Sequence, residues 1–278
     1  MKSIFGRALL AAQYLQSRFI ARVLGPNSLA IVASTPQGLF AIDPRDRGVG
    51  RQLLLRGAYG TQELERLKTY VPGDGRVLVV GGHIGSLAIP LARVCRELVV
   101  VEPNPTSNRL LRLNLRLNEV ANCTVLDVAA SDRAGHIEML LSTANSGGAK
   151  RVPVRANAAY LYDNPTVVQV PSAPLDEVLT DPRFDLIIMD IEGSEYFALK
   201  GMPRVLAASS ALAIEFLPHH LRNVSAVDVG QFLSPISPNF SRMLVPSKAL
   251  DVERAQFLPT LQGMFEREEG DDGLIFIR

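Results

Sequence analysis

Between Arg76 and Arg93 the chain reads RVLVVGGHIGSLAIPLAR, a strand that runs through a glycine turn into a helix. Val77 to Val80 are apolar without alternation, the pattern of a strand covered on both faces. Gly81, Gly82 and Gly85 let the backbone turn sharply and let a ligand approach the amides at the start of the helix, the usual seat of a nucleotide-type cofactor. The dinucleotide fingerprint G-x-G-x-x-G would need glycine at 81, 83 and 86, where the chain carries Gly81, His83 and Ser86. The pyrophosphate-binding version is therefore disfavoured, which makes a dinucleotide oxidoreductase the runner-up among enzymes.

On the carboxyl side of this unit the pattern repeats. Apolar strands are expected at ELVVVEP (97–103), CTVLDVAA (123–130), FDLIIMDIEG (184–193) and ALAIEFL (211–217), most of them separated by helical segments such as SNRLLRLNLRLN and SEYFALKGMPRVL. Strands apolar on both faces and joined by helices define a doubly wound α/β sheet. SRMLVP and GLIFIR add two more strands near the end. The turn cluster PGDG sets the start of this main domain at residue 73, so that 73–278 form one unit. Residues 1–72 read as an extension: an amphipathic helix over 3–24, a hairpin from SLAIVAS and GLFAIDP, and a short helix around GTQELERLKTYV. Residues 140–172 are rich in small, polar and turn residues and read as an insertion at the carboxyl edge of the sheet, where loops build substrate walls.

Charge and composition narrow the function classes. The 29 basic and 28 acidic side chains nearly cancel, so nothing points to nucleic acid. Residues 1–42 hold Lys2, Arg7, Arg18 and Arg22 without an acid, which leaves the 3–24 helix suited to its own domain, a dimer mate or a membrane surface. Two cysteines without metal-ligand spacing, no apolar run of about 18 to 20 residues, and an N-terminal segment broken by Gln13, Gln16 and Arg18 lead to the expectation of a cytoplasmic chain.

Candidate site residues cluster at strand ends. Glu102 closes its strand 17 residues beyond Gly85, where an acid can accept from both hydroxyls of a ribose. Asp127 is placed to receive an adenine amino group, with the Val128–Ala129 backbone beside the ring. Asp190, Glu192 and Glu195 put three carboxylates within six residues, an arrangement that calls for donors, a cation or a shared proton. Glu215, His219 and His220 fall on the same edge, and His83 lies inside the glycine turn.

With these segments in order, the chain resembles the FkbM-like family of S-adenosylmethionine-dependent O-methyltransferases. The resemblance covers about Gly38 to Leu217 and rests on VPGDGRVLVVGGHIG, VVVEPNP, VLDVAASDRAG, APLDEVL and above all DLIIMDIEGSEYFALKG. It implies the seven-stranded class I sheet, order 3-2-1-4-5-7-6, with only the last strand antiparallel. It also implies S-adenosylmethionine with its methionine part over Gly81, Gly82, His83 and Gly85, its ribose on Glu102, and its adenine near Asn104, Asp127, Val128 and Ala129. Asp190, Glu192 and Glu195 would face the methyl group and the acceptor, a hydroxyl of a sugar, a polysaccharide precursor or a secondary metabolite. Asp190 or Glu192 is expected to take the hydroxyl proton, directly or through a histidine, with His219 the candidate; Mg²⁺ or Ca²⁺ on the carboxylates is the open rival. The family usually reads D-V-G-A-N-x-G at the first strand, and here Val79, Gly82 and His83 replace the aspartate, alanine and asparagine. Gly60 likewise stands where an acid often follows the Tyr59 position. A cofactor-binding scaffold without catalysis is the non-enzymatic alternative.

Overall fold

The computed structural model describes residues 19–278 apart from 21 and 26. Most of the expected 3–24 helix lies outside these residues; 19, 20 and 22–24 are helical. The chain then forms β1 (Ile31–Thr35), β2 (Gly38–Ile42), α1 (Val49–Arg56) and α2 (Thr61–Lys68). The doubly wound part follows with β3 (Arg76–Val80), α3 (Ala88–Ala92), β4 (Glu97–Val101), α4 (Pro105–Leu117) and β5 (Cys123–Leu126). A second sheet is built from β6 (Ala129–Ala130), β7 (Gly135–Leu141), β8 (Lys150–Arg151) and β9 (Thr166–Ala173). After α5 (Leu175–Val178) come β10 (Leu186–Met189), α6 (Glu195–Lys200), α7 (Pro203–Ala208), β11 (Ala211–Phe216), α8 (Pro218–His220) and α9 (Val229–Leu233). β12 (Arg242–Val245), β13 (Leu250–Glu253), α10 (Phe257–Glu266) and β14 (Asp271–Ile277) complete the chain.

The main sheet runs β13-β12-β14-β11-β10-β3-β4-β5. Without β13 this is the expected order 3-2-1-4-5-7-6 read from the other edge. Two points differ from expectation: the sheet has eight strands, and β13 joins β14 in running against the rest. The extra strand arises because residues 246–248 and Ala249, at φ 51°, fold β12 back on itself. LDVE is too polar and too exposed to carry a strand signal of its own.

Alternation along the strands explains their unbroken apolar character. Leu78, Val80, Val99, Val101, Ile187 and Met189 face one core, and Val77, Val79, Val100 and Ile188 face the other. Val79, where the family has an acid, is 1% exposed and lies wholly within the second core. Phe40, Ala41 and Ile42 of the hairpin enter that same core. Two asparagines one turn apart, Asn114 in α4 and Asn118 at its C-terminal cap, satisfy the free edge of β2. Asn114 accepts from the Ala41 amide at 2.6 Å and donates to its carbonyl at 3.1 Å, and Asn118 does the same for Leu39 at 2.9 and 2.7 Å.

The second sheet, order β6-β9-β7-β8, begins before residue 140, because GHIEMLL pairs in register with β9, Ile137 opposite Val170 and Met139 opposite Val168. Its alternating inner residues form a small core of their own with Ala129. The sheet stands above the carboxyl ends of β3 and β10 and walls the space there.

Candidate active site

A cavity of about 1170 Å³, counted out to its mouth, opens at the carboxyl ends of β3, β4 and β10. That is the crevice in which open α/β sheets bind ligands. The glycine turn forms its floor. Gly81 has φ 100°, and a Cβ there would lie 1.9 Å from the Asp190 carbonyl, so the β3 and β10 turns approach each other as only glycine permits. Gly85 faces away and packs against Leu111 and Ile89.

His83 takes the left-handed conformation at φ 47° and joins three elements. Its amide donates to Glu102 Oε2 at 2.6 Å, and its ring Nε2 is 2.7 Å from Ser146 Oγ in the second-sheet loop. The Ser146 amide in turn donates to Asp46 at 3.1 Å, ahead of α1. Burial pushes the imidazole down to about 4, so the ring is neutral.

Glu102 is 7% exposed at the end of β4, with Oε1 accepting from the Asn104 amide at 2.8 Å. Burial pushes its carboxyl up to about 7, against the opposing pull of the Asn104 and His83 amides. Asn104 caps α4, accepting from the Thr106 amide at 3.0 Å, and lines the cavity together with Glu102 and Ala129. Asp127 does not join them. Asn108 Nδ2 at 2.8 Å and the Arg112 guanidinium hold it outside, with its side chain 63% exposed, and Val128 packs on the first core.

The DIEGSE turn sorts its three carboxylates into different tasks. The Asp190 side chain faces the cavity and, among the described residues, has no hydrogen bond or ion pair. Although the carboxyl is open to the cavity, desolvation by the surrounding walls, then Glu192 and Glu195, pushes it up to about 8. Glu192, at φ 56°, also lines the cavity; its Oε2 lies 2.8 Å from Lys150 Nζ and 3.5 Å from His220 Nε2. Glu195 is 2% exposed and lies off the cavity. It accepts from the Ile191 and Gly193 amides at 3.0 and 3.2 Å and so fastens the turn; burial pushes it up to about 7.

His219 is likewise placed away from the cavity, against Tyr160 at 3.3 Å. The neighbouring His220 is the one that meets the carboxylates, with Nδ1 3.1 Å from Glu215 Oε2. Burial, with Lys150 and His219 adding to it, holds that imidazole down at about 2 and therefore neutral, while burial and the nearby acids raise Glu215 well above the carboxylate range. Among the described residues no group of three or more His, Cys, Asp or Glu is arranged to hold a metal ion.

Several lining residues carry no sequence signal. Tyr59 is held over the cavity by Gln37, which donates to its carbonyl and accepts from its amide, both at 2.8 Å. Burial and Asp190 push its hydroxyl up to about 12. Glu63, three residues after Gly60, brings an acid to the cavity from α2. Arg151 reaches it from β8, in the segment expected to form a substrate wall.

The strand order, the glycine turn and the acid closing β4 define a doubly wound fold of the class I methyltransferase type. The methyltransferase FkbM domain matches residues 80–237, and the chain belongs to that family. No curated protein matches. Among solved structures, similarity is found to an rRNA methylase from Streptococcus thermophilus (11% identity, 55% of this chain and 68% of that one, TM-score 0.36). It is also found to M. jannaschii TYW2 in complex with AdoMet (16%, 69% and 64%, 0.39) and to Trm5b from Pyrococcus abyssi (11%, 91% and 57%, 0.43). The chain spans less than two thirds of the last two. Among the described residues no helix is long and apolar enough to cross a membrane.

Proposed function

We propose that the chain is an S-adenosylmethionine-dependent O-methyltransferase acting on a hydroxyl of a sugar, a polysaccharide precursor or a secondary metabolite. Three features of the cavity suit the cofactor. Glu102 ends β4 with both oxygens fixed by amides and lone pairs left for ribose hydroxyls. Ala129, Ile137 and Met139 offer an apolar wall for adenine. The close-set Gly81 turn leaves room for the methionine part.

The bound cofactor supplies a methyl on a positively charged sulfur, open to in-line displacement by an oxygen. The protein must then align the acceptor and take its hydroxyl proton. One observation carries the assignment of that proton to Asp190: its carboxylate opens onto the cavity without a protein partner, and the neighbouring acids Glu192 and Glu195 add to desolvation in raising its proton affinity above that of a free carboxylate. Lys150 and His220 hold Glu192 in place beside it, and Tyr59 stays protonated as a donor. The direct test follows transfer of labelled methyl from the cofactor to extracted small molecules and glycans. Transfer is expected to persist after chelation and to fall by about 100-fold or more in Asp190→Asn. Full activity of Asp190→Asn, or activity lost on chelation and restored by Mg²⁺, would overturn the assignment.

A further inference from the structure

Arg151 is a half-buried guanidinium on the cavity wall that no neighbour pairs directly. Its Cζ stacks over the Phe197 ring at 4.2 Å, which fixes the plane of the group and leaves its edge of N–H donors unused. Among the described residues it makes no hydrogen bond and no ion pair. The acid whose charge reaches it, Asp132, is already shared by Arg133 Nη2 at 3.6 Å and Lys200 Nζ at 3.7 Å. Three cations thus surround one carboxylate, in contrast to the acids at Glu63, Asp190 and Glu192 elsewhere around the cavity.

The path of the chain places Arg151 towards the acceptor. Lys150 immediately before it reaches Glu192 at 2.8 Å, and just beyond it Val154 and Arg155 donate to the Val224 and Asn223 carbonyls at 3.2 and 2.9 Å. Residues 150–155 therefore cross above the turn that carries Asp190 and Glu192, on the side of Ser194 and Phe197. The ribose-binding acid, Glu102, sits two strands away on β4. A planar guanidinium fixed by stacking pairs best with a flat or tetrahedral oxyanion, through two parallel hydrogen bonds.

Resting on the methyltransferase reading, we propose that the acceptor is anionic and that Arg151 is its specificity-determining contact, receiving a carboxylate or phosphate group while the hydroxyl to be methylated is presented to Asp190. Neutral sugars then bind poorly. Sugar acids, phosphosugars and other acidic metabolites fit.

The test uses the full chain and inorganic phosphate as the probe. S-adenosylhomocysteine is titrated first by calorimetry into the wild type, Arg151→Gln and Arg133→Gln, and phosphate is then titrated into each loaded protein. Saturable phosphate binding by the wild type is expected, weakened by about tenfold or more in Arg151→Gln and left nearly unchanged in Arg133→Gln, whose guanidinium is exposed and off the cavity. The proposal is overturned if phosphate does not saturate, if Arg151→Gln binds it as the wild type does, or if both variants lose it equally. It is also overturned if Arg151→Gln loses homocysteine-cofactor affinity instead, since the guanidinium then serves the cofactor's own carboxylate. If the wild type does not bind S-adenosylhomocysteine at all, the methyltransferase reading fails separately, and phosphate titrated into the unloaded proteins decides the role of Arg151.

Discussion

Replacing Asp190 by asparagine should make the ligand-free protein more stable at alkaline pH while abolishing methyl transfer. The native carboxyl is pushed from 3.8 to about 8, so the folded chain holds a proton that the unfolded chain releases between those values. Because folding raises the pKa, stability attributable to this group is fully present below about pH 4 and is lost as the pH rises towards about 8. Carried over in full, the displacement would be worth about 6 kcal/mol at the top of the window. The carboxyl opens onto water in the cavity, which screens Glu192 and Glu195, so about 1 to 2 kcal/mol is the expected share. Asparagine has the shape of the protonated acid and cannot ionise. Thermal unfolding should therefore give nearly equal Tm values at about pH 3.5, below the unfolded pKa, and a rise of about 2 to 6 °C for Asp190→Asn at pH 8.5. A gain in stability accompanied by loss of activity is the signature of a functional group held against its intrinsic preference. A variant with the same Tm difference at both pH values, or a lower Tm at pH 8.5, would refute this reasoning.

Three further outcomes follow from the site and its supports. Glu102→Gln keeps an acceptor oxygen but loses the charge-assisted bonds, so S-adenosylhomocysteine affinity should fall by about tenfold in a calorimetric titration; unchanged affinity would remove the ribose assignment. His219→Ala should leave the pH profile of methyl transfer in place, whereas His220→Ala, which frees Glu192 and Glu215 from their shared partner, should shift it. The reverse pattern would restore His219 as the histidine of the site. Asn114→Ala leaves the buried Ala41 amide and carbonyl unsatisfied, and should cost about 1 to 3 kcal/mol in denaturant unfolding; a smaller change would show that the hairpin is held by its apolar contacts alone.

The main sheet was legible because its strands are buried on both faces, so that Val77–Val80, Leu98–Val101 and Leu186–Met189 stand out as continuous apolar runs. β13 and β7 were not, since exposed edge strands and half-covered strands carry too few apolar residues to separate from loop. Gly81, Gly82, His83, Glu102, Ala129, Asp190 and Glu192 were named from strand ends and the turns after them, and Asn104 from the family resemblance; all line one cavity. Glu195 and Asp127 share their sequence neighbourhood but not their destination: one turns inward to fasten amides, the other is drawn out by Arg112. Adjacent residues such as His219 and His220 point in different directions on a helical turn, which spacing alone does not resolve. Tyr59 and Arg151 reach the cavity through tertiary contacts, Gln37 and Phe197, that leave no local pattern.

Calorimetric titration of the full chain with S-adenosylhomocysteine, run beside NAD, tests the central claim most directly. One molecule of S-adenosylhomocysteine per chain is expected to bind with a Kd of about 1 to 100 µM, and NAD is expected not to bind. Binding of NAD with no binding of S-adenosylhomocysteine would contradict the assignment of the cavity to a methyl-transfer cofactor.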